Sequence, residues 1–167
     1  RTVEITPDVT IPIIALLGES TVTLERYTEY VDPGATASDN IDGDITANIS
    51  IVNAVDVSTV GTYVITYNVN DAGGNSAVEV TRTVVIVPIA ISLSIPSDIT
   101  VNATGYLTSV DIGDATVSAG EGEISVSSSE TGPFKSGMYE ITWTAVDSVG
   151  TAASAMQILK VVPLVNL

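Results

Sequence analysis

Two short acidic segments carry the residues with the clearest chemical potential in this sequence. The first reads Asp39-Asn40-Ile41-Asp42-Gly43-Asp44, and the second reads Asp71-Ala72-Gly73-Gly74-Asn75. Each follows a segment that alternates in polarity as a β-strand does. Carboxylate and amide oxygens this closely spaced on turns suit a hard cation such as calcium, which takes about 6–8 oxygen ligands. The spacing therefore points first to a calcium site.

The composition excludes most other chemistry. The 167 residues include no His and no Cys, which removes Ser-His-Asp and Cys-His catalysis, disulfides and thiolate zinc sites. No Gly-rich phosphate loop precedes a predicted helix. A glycosidase-like pair of carboxylates is still open, but it requires a cleft that short modules have little room to form. We therefore expect a protein that is not an enzyme.

The charge balance narrows the choice of partners. There are 5 basic and 20 acidic residues, which gives a net charge of -15. A surface of this sign repels the phosphate backbone of nucleic acids and anionic membranes. The longest apolar stretch, residues 84–91, is too short to cross a bilayer as a helix. We expect no nucleic-acid partner and no membrane insertion.

The elements that position the acidic segments are predicted to be strands. Val, Ile and Thr are abundant, polarity alternates repeatedly, and turn residues recur between the alternating segments. The run from Gly61 to Tyr67 returns 76 residues later from Gly137 to Trp143. A repeat of this length corresponds to a whole small domain. The sequence thus predicts an all-β fold of two tandem β-sandwich modules, module 1 over 1–88 and module 2 over 89–167.

Both modules resemble known bacterial domains. Module 1 resembles the bacterial Ig-like domain of some pesticidal crystal proteins and many surface proteins, and module 2 resembles the related hyalin-repeat domain. The matching segments are 8–18, 30–37, 39–46 and 60–75 in module 1, and 95–101 and 139–147 in module 2. The resemblance implies two Ig-like sandwiches within an extracellular multidomain protein, with a spacer or adhesion role.

The strand order brings the acidic residues toward one end of module 1. The strands ending at Asp39 and Asp71 run in the same direction, and an Ig-like topology also begins at that end, near Asp8. We therefore predict a calcium site in module 1. Its predicted ligands are Asp8, Asp39, Asp42, Asp44 and Asp71. The alternative is that these residues close ordinary Asx turns without a metal.

Module 2 provides an internal comparison. Its counterpart of the first acidic segment reads Ala119-Gly120-Glu121-Gly122-Glu123, and only Asp147 is kept from the second. This degeneracy favours a solvated hairpin tip at Glu121 and Glu123 over a second calcium site. Trp143 lies in an alternating strand and is predicted to belong to the core. Tyr63 and Tyr139 follow glycines just before strands, which fits a packing or corner role.

These observations predict a non-catalytic, extracellular or cell-surface spacer, stalk or adhesion region of a larger bacterial protein, stiffened by calcium. Its partners would be the neighbouring domains of the same polypeptide. The alternative is a carbohydrate- or protein-binding accessory module of a secreted hydrolase or adhesin, acting on a glycan or a surface protein. A cluster of exposed aromatics would favour that alternative, but Tyr27, Tyr30 and Tyr106 are scattered. A self-associating assembly module is a further possibility.

Overall fold

The structure, a computed structural model, describes residues 7–164 and consists of β-strands joined by turns. Within that range the sole helical segment is a short 3₁₀ turn at Thr46–Asn48. The prediction of an all-β, Ig-like sandwich fold is confirmed. The chain divides into two compact units between Val87 and Pro88. From here on, module 1 ends at Val87 and module 2 begins at Pro88. No helix in the described range is long and apolar enough to cross a membrane.

Module 1 contains two sheets. One is antiparallel in the order β1-β3-β4, and the other has the order β2-β7-β6-β5, with β2 parallel to β7. The strands are β1 (Ile13–Leu16), β2 (Thr21–Glu25), β3 (Ala35–Asp39), β4 (Gly43–Asp44), β5 (Ser50–Val52), β6 (Gly61–Asn68) and β7 (Val80–Val87).

Module 2 repeats this plan with shorter strands at its start. A four-stranded sheet has the order β11-β12-β13-β9, with β9 parallel to β13, and β8 pairs with β10 in a second sheet. The strands are β8 (Leu93–Ser94), β9 (Ile99–Asn102), β10 (Thr116–Val117), β11 (Ile124–Ser128), β12 (Gly137–Asp147) and β13 (Ala152–Val162).

Alternation along the strands builds each core. In module 1, Ile65 and Tyr67 of β6 face inward with Val84 and Ile86 of β7. In module 2, Ile141 and Trp143 of β12 face inward with Leu159 of β13. Trp143 is therefore a core residue, as predicted. Because side chains alternate between the two faces of a strand, the apolar positions of each strand collect on the inner face of its sheet.

The two predicted corner tyrosines make the same contact in both modules. The hydroxyl of Tyr63 donates to the carbonyl of Thr59 at 2.8 Å, and that of Tyr139 donates to the carbonyl of Lys135 at 3.0 Å. Each bond ties a loop to the strand that follows it. This repeated contact confirms the corner role expected from the sequence.

The core of module 1 contains a buried ion pair between Arg82 and Asp32. The guanidinium of Arg82 is fully buried and bonds to the Asp32 carboxylate and to the backbone carbonyls of Leu17 and Gly34. The Tyr67 hydroxyl also donates to Asp32, at 2.7 Å. Burial, aided by the adjacent Asp32 carboxylate, raises the pKa of the Tyr67 phenol well above its usual value of 10.0. This charged network therefore links β7 of one sheet to Leu17 and Gly34, which directly follow β1 and precede β3 of the other sheet.

Module 2 uses a neutral side chain at the corresponding place. Ile65 pairs with Arg82 in module 1, and Ile141 pairs with Gln157 in module 2. The Gln157 amide accepts a bond from the Trp143 indole at 3.0 Å and donates to the carbonyls of Ser97 and Ile112. At this paired position, the two cores therefore bond backbone carbonyls through a charged side chain in module 1 and a neutral one in module 2.

Candidate metal centre

Four of the five predicted ligands meet at one end of module 1. One carboxylate oxygen from each of Asp8, Asp39, Asp42 and Asp71 lies within 4.8 Å of the other three. We call these four residues the acidic group. They come from three separate parts of the chain: the segment before β1, the β3–β4 turn, and the loop after β6.

The strand period explains why two of these carboxylates are buried. Asp39 ends the inward row of β3, after Ala35 and Ala37. Asp71 continues the inward row that runs through Tyr67 and Val69. Because both rows face the same interior, their last members meet at the end of the sandwich. Asp39 is 9% exposed and Asp71 is 8% exposed.

Backbone amides donate hydrogen bonds to one carboxylate oxygen of each of Asp8, Asp39 and Asp42. Asp39 Oδ2 accepts from the amide of Ile41 at 2.7 Å and from that of Asp42 at 3.2 Å. Asp42 Oδ2 accepts from the amide of Ala72 at 2.8 Å, and Asp8 Oδ1 accepts from that of Thr10 at 3.0 Å. These bonds fix the carboxylates before any ion arrives, as bonds behind metal ligands commonly do.

The opposite oxygens of two carboxylates have no such partner. Asp8 Oδ2 and Asp39 Oδ1 are buried and accept no hydrogen bond. A buried, unsatisfied polar atom costs about 1–3 kcal/mol, and more when it is charged. A cation bound by the acidic group would remove this cost and would also neutralise the repulsion among four carboxylates.

Asn75 links two members of the acidic group. Its side-chain amide donates to Asp71 Oδ2 at 2.7 Å and to the carbonyl of Asp8 at 3.2 Å. Burial raises the pKa of Asp71, but bonds from the Asn75 side chain and from nearby backbone amides outweigh it and leave the pKa below 3.8. Asp71 is therefore an anion at neutral pH. The spacing of the acidic segments alone does not predict this positioning role of Asn75.

The structure does not bring Asp44 into the acidic group. It lies in β4, opposite Ser38, beyond the turn at Gly43. Its Oδ1 accepts from the amide of Thr46 at 3.0 Å, and bonds from Thr46 lower the pKa of Asp44. Asp44 follows the turn that reverses the chain, and its carboxylate is not among the four that meet. The function proposed below therefore uses the acidic group without Asp44.

The spacing of the acidic group fits one calcium ion. Calcium–oxygen distances are about 2.3–2.6 Å, so oxygens on opposite sides of one ion lie about 4.6–5.2 Å apart. The four oxygens lie within 4.8 Å of one another, so a single calcium ion could contact all of them. Magnesium usually keeps several waters and binds through one or two carboxylates, so a group of four carboxylates suits calcium better.

The corresponding end of module 2 is closed by hydrogen bonds. Asp147 accepts from the amides of Glu121 (3.1 Å), Val149 (3.1 Å) and Thr151 (2.8 Å). Glu121 Oε1 accepts from the amide of Ile89 at 3.0 Å. Glu121 is only 7% exposed, so the expectation of a solvated tip is wrong for Glu121 and holds for the exposed Glu123. In the described part of module 2, no comparable group of acidic side chains occurs.

Comparison with known proteins bears on module 1. Residues 14–86 match the Ig-like domain family of bacterial surface proteins. The match covers the strands β1 to β7 almost completely, and it supports the general prediction of bacterial Ig-like domains. The finer resemblances, to the pesticidal-crystal type in module 1 and to the hyalin repeat in module 2, stay predictions. A search of curated proteins finds no match.

Solved structures are similar at low sequence identity. The lipoprotein BT2262 from Bacteroides thetaiotaomicron is 18% identical, with 87% of this chain and 78% of that chain covered and a TM-score of 0.41. A structure of the CBM51-2 domain, in complex with GlcNAc, and INT domains from Clostridium perfringens ZmpB is 20% identical, with a TM-score of 0.38. The match covers 90% of this chain and 39% of the longer Clostridium perfringens chain. At these values the likeness says nothing about the acidic group.

Proposed function

We propose that this chain is a non-catalytic spacer region of a larger bacterial surface or secreted protein, and that calcium fixes the start of module 1. The observation that carries the proposal is the pair of buried, unpartnered oxygens, Asp8 Oδ2 and Asp39 Oδ1, within a group of four carboxylates. Asx turns alone would leave these two oxygens unsatisfied. A bound cation gives them a partner.

Asp8 connects the ion to the mechanics of the module. Residues 7–12 precede β1 and form no strand. Asp8 reaches the body of the module through the Asn75 bond to its carbonyl and through its carboxylate in the acidic group. With calcium bound, Asp8 would be held by ligation as well. Calcium would thereby limit the motion of the segment through which module 1 joins whatever precedes it.

The setting supports an extracellular role. Calcium sites of extracellular modules have dissociation constants of about 10⁻⁴–10⁻³ M, which match calcium-rich surroundings. The family match to a bacterial surface domain supports the same location. A chain without Cys obtains no disulfide cross-links, so a metal is an available means of stiffening it. In this proposal the partners are the neighbouring domains of the same polypeptide.

Hydrogen–deuterium exchange tests the proposed stiffening directly. We expect amides in residues 7–12 to exchange more slowly in millimolar calcium than in EDTA or magnesium. Asp39→Asn should abolish this difference, because it removes one charge from the acidic group and retains an oxygen for the Ile41 amide. Asp44→Asn is the matched control and should behave as wild type. Equal exchange rates with and without calcium would refute the proposal.

A further inference from the structure

A polar cleft lies at the open edge of the four-stranded sheet of module 1. Its volume is about 270 Å³, and Asn48, Ser50, Asn68, Val69 and Asn70 line it. β5 is the outermost strand of that sheet, and its Ser50 pairs with Asn68 of β6. The cleft therefore spans an edge strand and the end of its neighbour, where a ligand can approach from solvent.

Four polar side chains surround the cleft. Asn68 and Asn70 are exposed on either side of the buried Val69, and Asn48 and Ser50 are exposed two residues apart. The pairing of β5 with β6 ends at Ser50 and Asn68, because Asn48 closes the 3₁₀ turn and Asn70 lies beyond β6 in a bridge to Ser76. The cleft of about 270 Å³ is large enough to hold one sugar ring.

The hydrogen-bonding groups of the cleft are available to a ligand. Asn68 Nδ2 donates to Glu79 at 2.9 Å, which leaves its Oδ1 free to accept. Within residues 7–164, the side-chain amides of Asn48 and Asn70 make no hydrogen bond. Each amide offers an acceptor oxygen and two donor hydrogens, and the Ser50 hydroxyl offers both functions. The cleft thus presents adjacent donors and acceptors without a charge of its own.

We propose that this cleft binds one ring of an uncharged glycan. Neighbouring sugar hydroxyls are each both donor and acceptor, which matches paired amides. An anionic ligand is disfavoured, because Glu79 borders the cleft and the net charge of the chain is -15. The inference adds a binding activity to the spacer role, and it depends neither on that role nor on calcium.

Module 2 lacks the same arrangement. At the corresponding sheet edge, Ser127 pairs with Thr144 and Ser125 pairs with Val146. These four positions contain no amide, and Val146 places an apolar side chain in the position of Asn70. The proposed site is therefore confined to module 1. Ser127→Ala supplies a control substitution on an equivalent strand.

Saturation-transfer NMR on the whole chain tests this inference. The probes are two neutral trisaccharides, maltotriose and triacetylchitotriose, with trigalacturonate as the anionic comparison. We expect millimolar binding of at least one neutral probe and none of trigalacturonate. The double variant Asn48→Ala/Asn70→Ala should weaken binding about tenfold or more, since two hydrogen-bonding amides are lost. Ser127→Ala and addition of EDTA should change nothing.

Two results would overturn the inference. One is the lack of saturable binding of either neutral probe by the wild-type chain. The other is a double variant that is folded by circular dichroism and binds as wild type does. The second result would mean that the trisaccharide binds at a place that does not depend on these amides.

Discussion

Calcium should raise the melting temperature of module 1 and leave that of module 2 unchanged. Module 1 contains the acidic group, with two buried oxygens that have no hydrogen-bond partner. In module 2 the equivalent Asp147 accepts three backbone hydrogen bonds and needs no cation. A ligand that binds only the folded state stabilises it by mass action. Module 2 therefore serves as an internal control for the effect of calcium on module 1.

The expected magnitude follows from the ligand set. Four carboxylates suit a dissociation constant near the tight end of extracellular sites, about 10⁻⁴ M. Calcium at a hundred times that constant stabilises the folded module by about 2.7 kcal/mol. For a unit of this size, 1 kcal/mol shifts the melting temperature by about 4–8 °C. Module 1 should therefore melt about 10–20 °C higher in saturating calcium than in EDTA.

The two transitions can be followed separately. Trp143 is the single tryptophan of the chain and lies in the core of module 2, so its fluorescence reports on that module. Calorimetry records both transitions in the same sample. An equal shift of both modules, a shift of neither, or an equal effect of magnesium would refute the assignment of a calcium site to module 1.

Two further predictions concern the buried polar groups. Arg82→Gln should destabilise module 1 by about 3–5 kcal/mol, because it leaves the Asp32 carboxylate without its cation. Adding Asp32→Asn should recover part of the loss in urea unfolding, and a double variant no more stable than the single one would contradict this reasoning. Burial raises the pKa of Asp147, but backbone bonds from Glu121, Thr151 and Val149 outweigh it and leave the pKa below 3.8. The folded-state pKa is thus below the unfolded value, so this stabilisation is present above pH 3.8 and is lost as the pH falls through the folded value. Trp143 fluorescence should show less acid destabilisation in Asp147→Asn, and an identical pH profile would contradict the assignment.

Alternation and turn chemistry predicted much of the fold. The repeat from Gly61 to Tyr67 and from Gly137 to Trp143 became β6 and β12, and Trp143 is buried as expected. Local pattern sufficed here because the apolar positions of each strand have one face on which to be buried.

The acidic group was predictable only in part. Asp39 and Asp71 end inward rows, a signal that continues the strand period beyond the last apolar residue. Asp44 lies outside the acidic group, since the turn at Gly43 returns the chain along β3, and sequence spacing does not show which residue follows the reversal. Asn75 was missed as a positioning residue because its partner Asp8 is 67 residues away.

Contacts between polar residues that are far apart in the sequence could not be predicted either. Arg82 meets Asp32 across 50 residues, and Glu121 meets the amide of Ile89 across 32. Neither pair has a local pattern, since each depends on which loops and strands the folded module brings together. A buried Arg or Glu therefore looks like a surface charge when the sequence is considered alone.

Isothermal titration calorimetry measures calcium binding to the acidic group itself. We expect one calcium ion per chain, with much weaker binding of magnesium. Asp39→Asn should weaken calcium binding by tenfold or more, because it alters a buried ligand, whereas Asp44→Asn should bind as wild type does. No measurable calcium binding by the wild-type chain, or equal affinities for Asp39→Asn and wild type, would contradict the account.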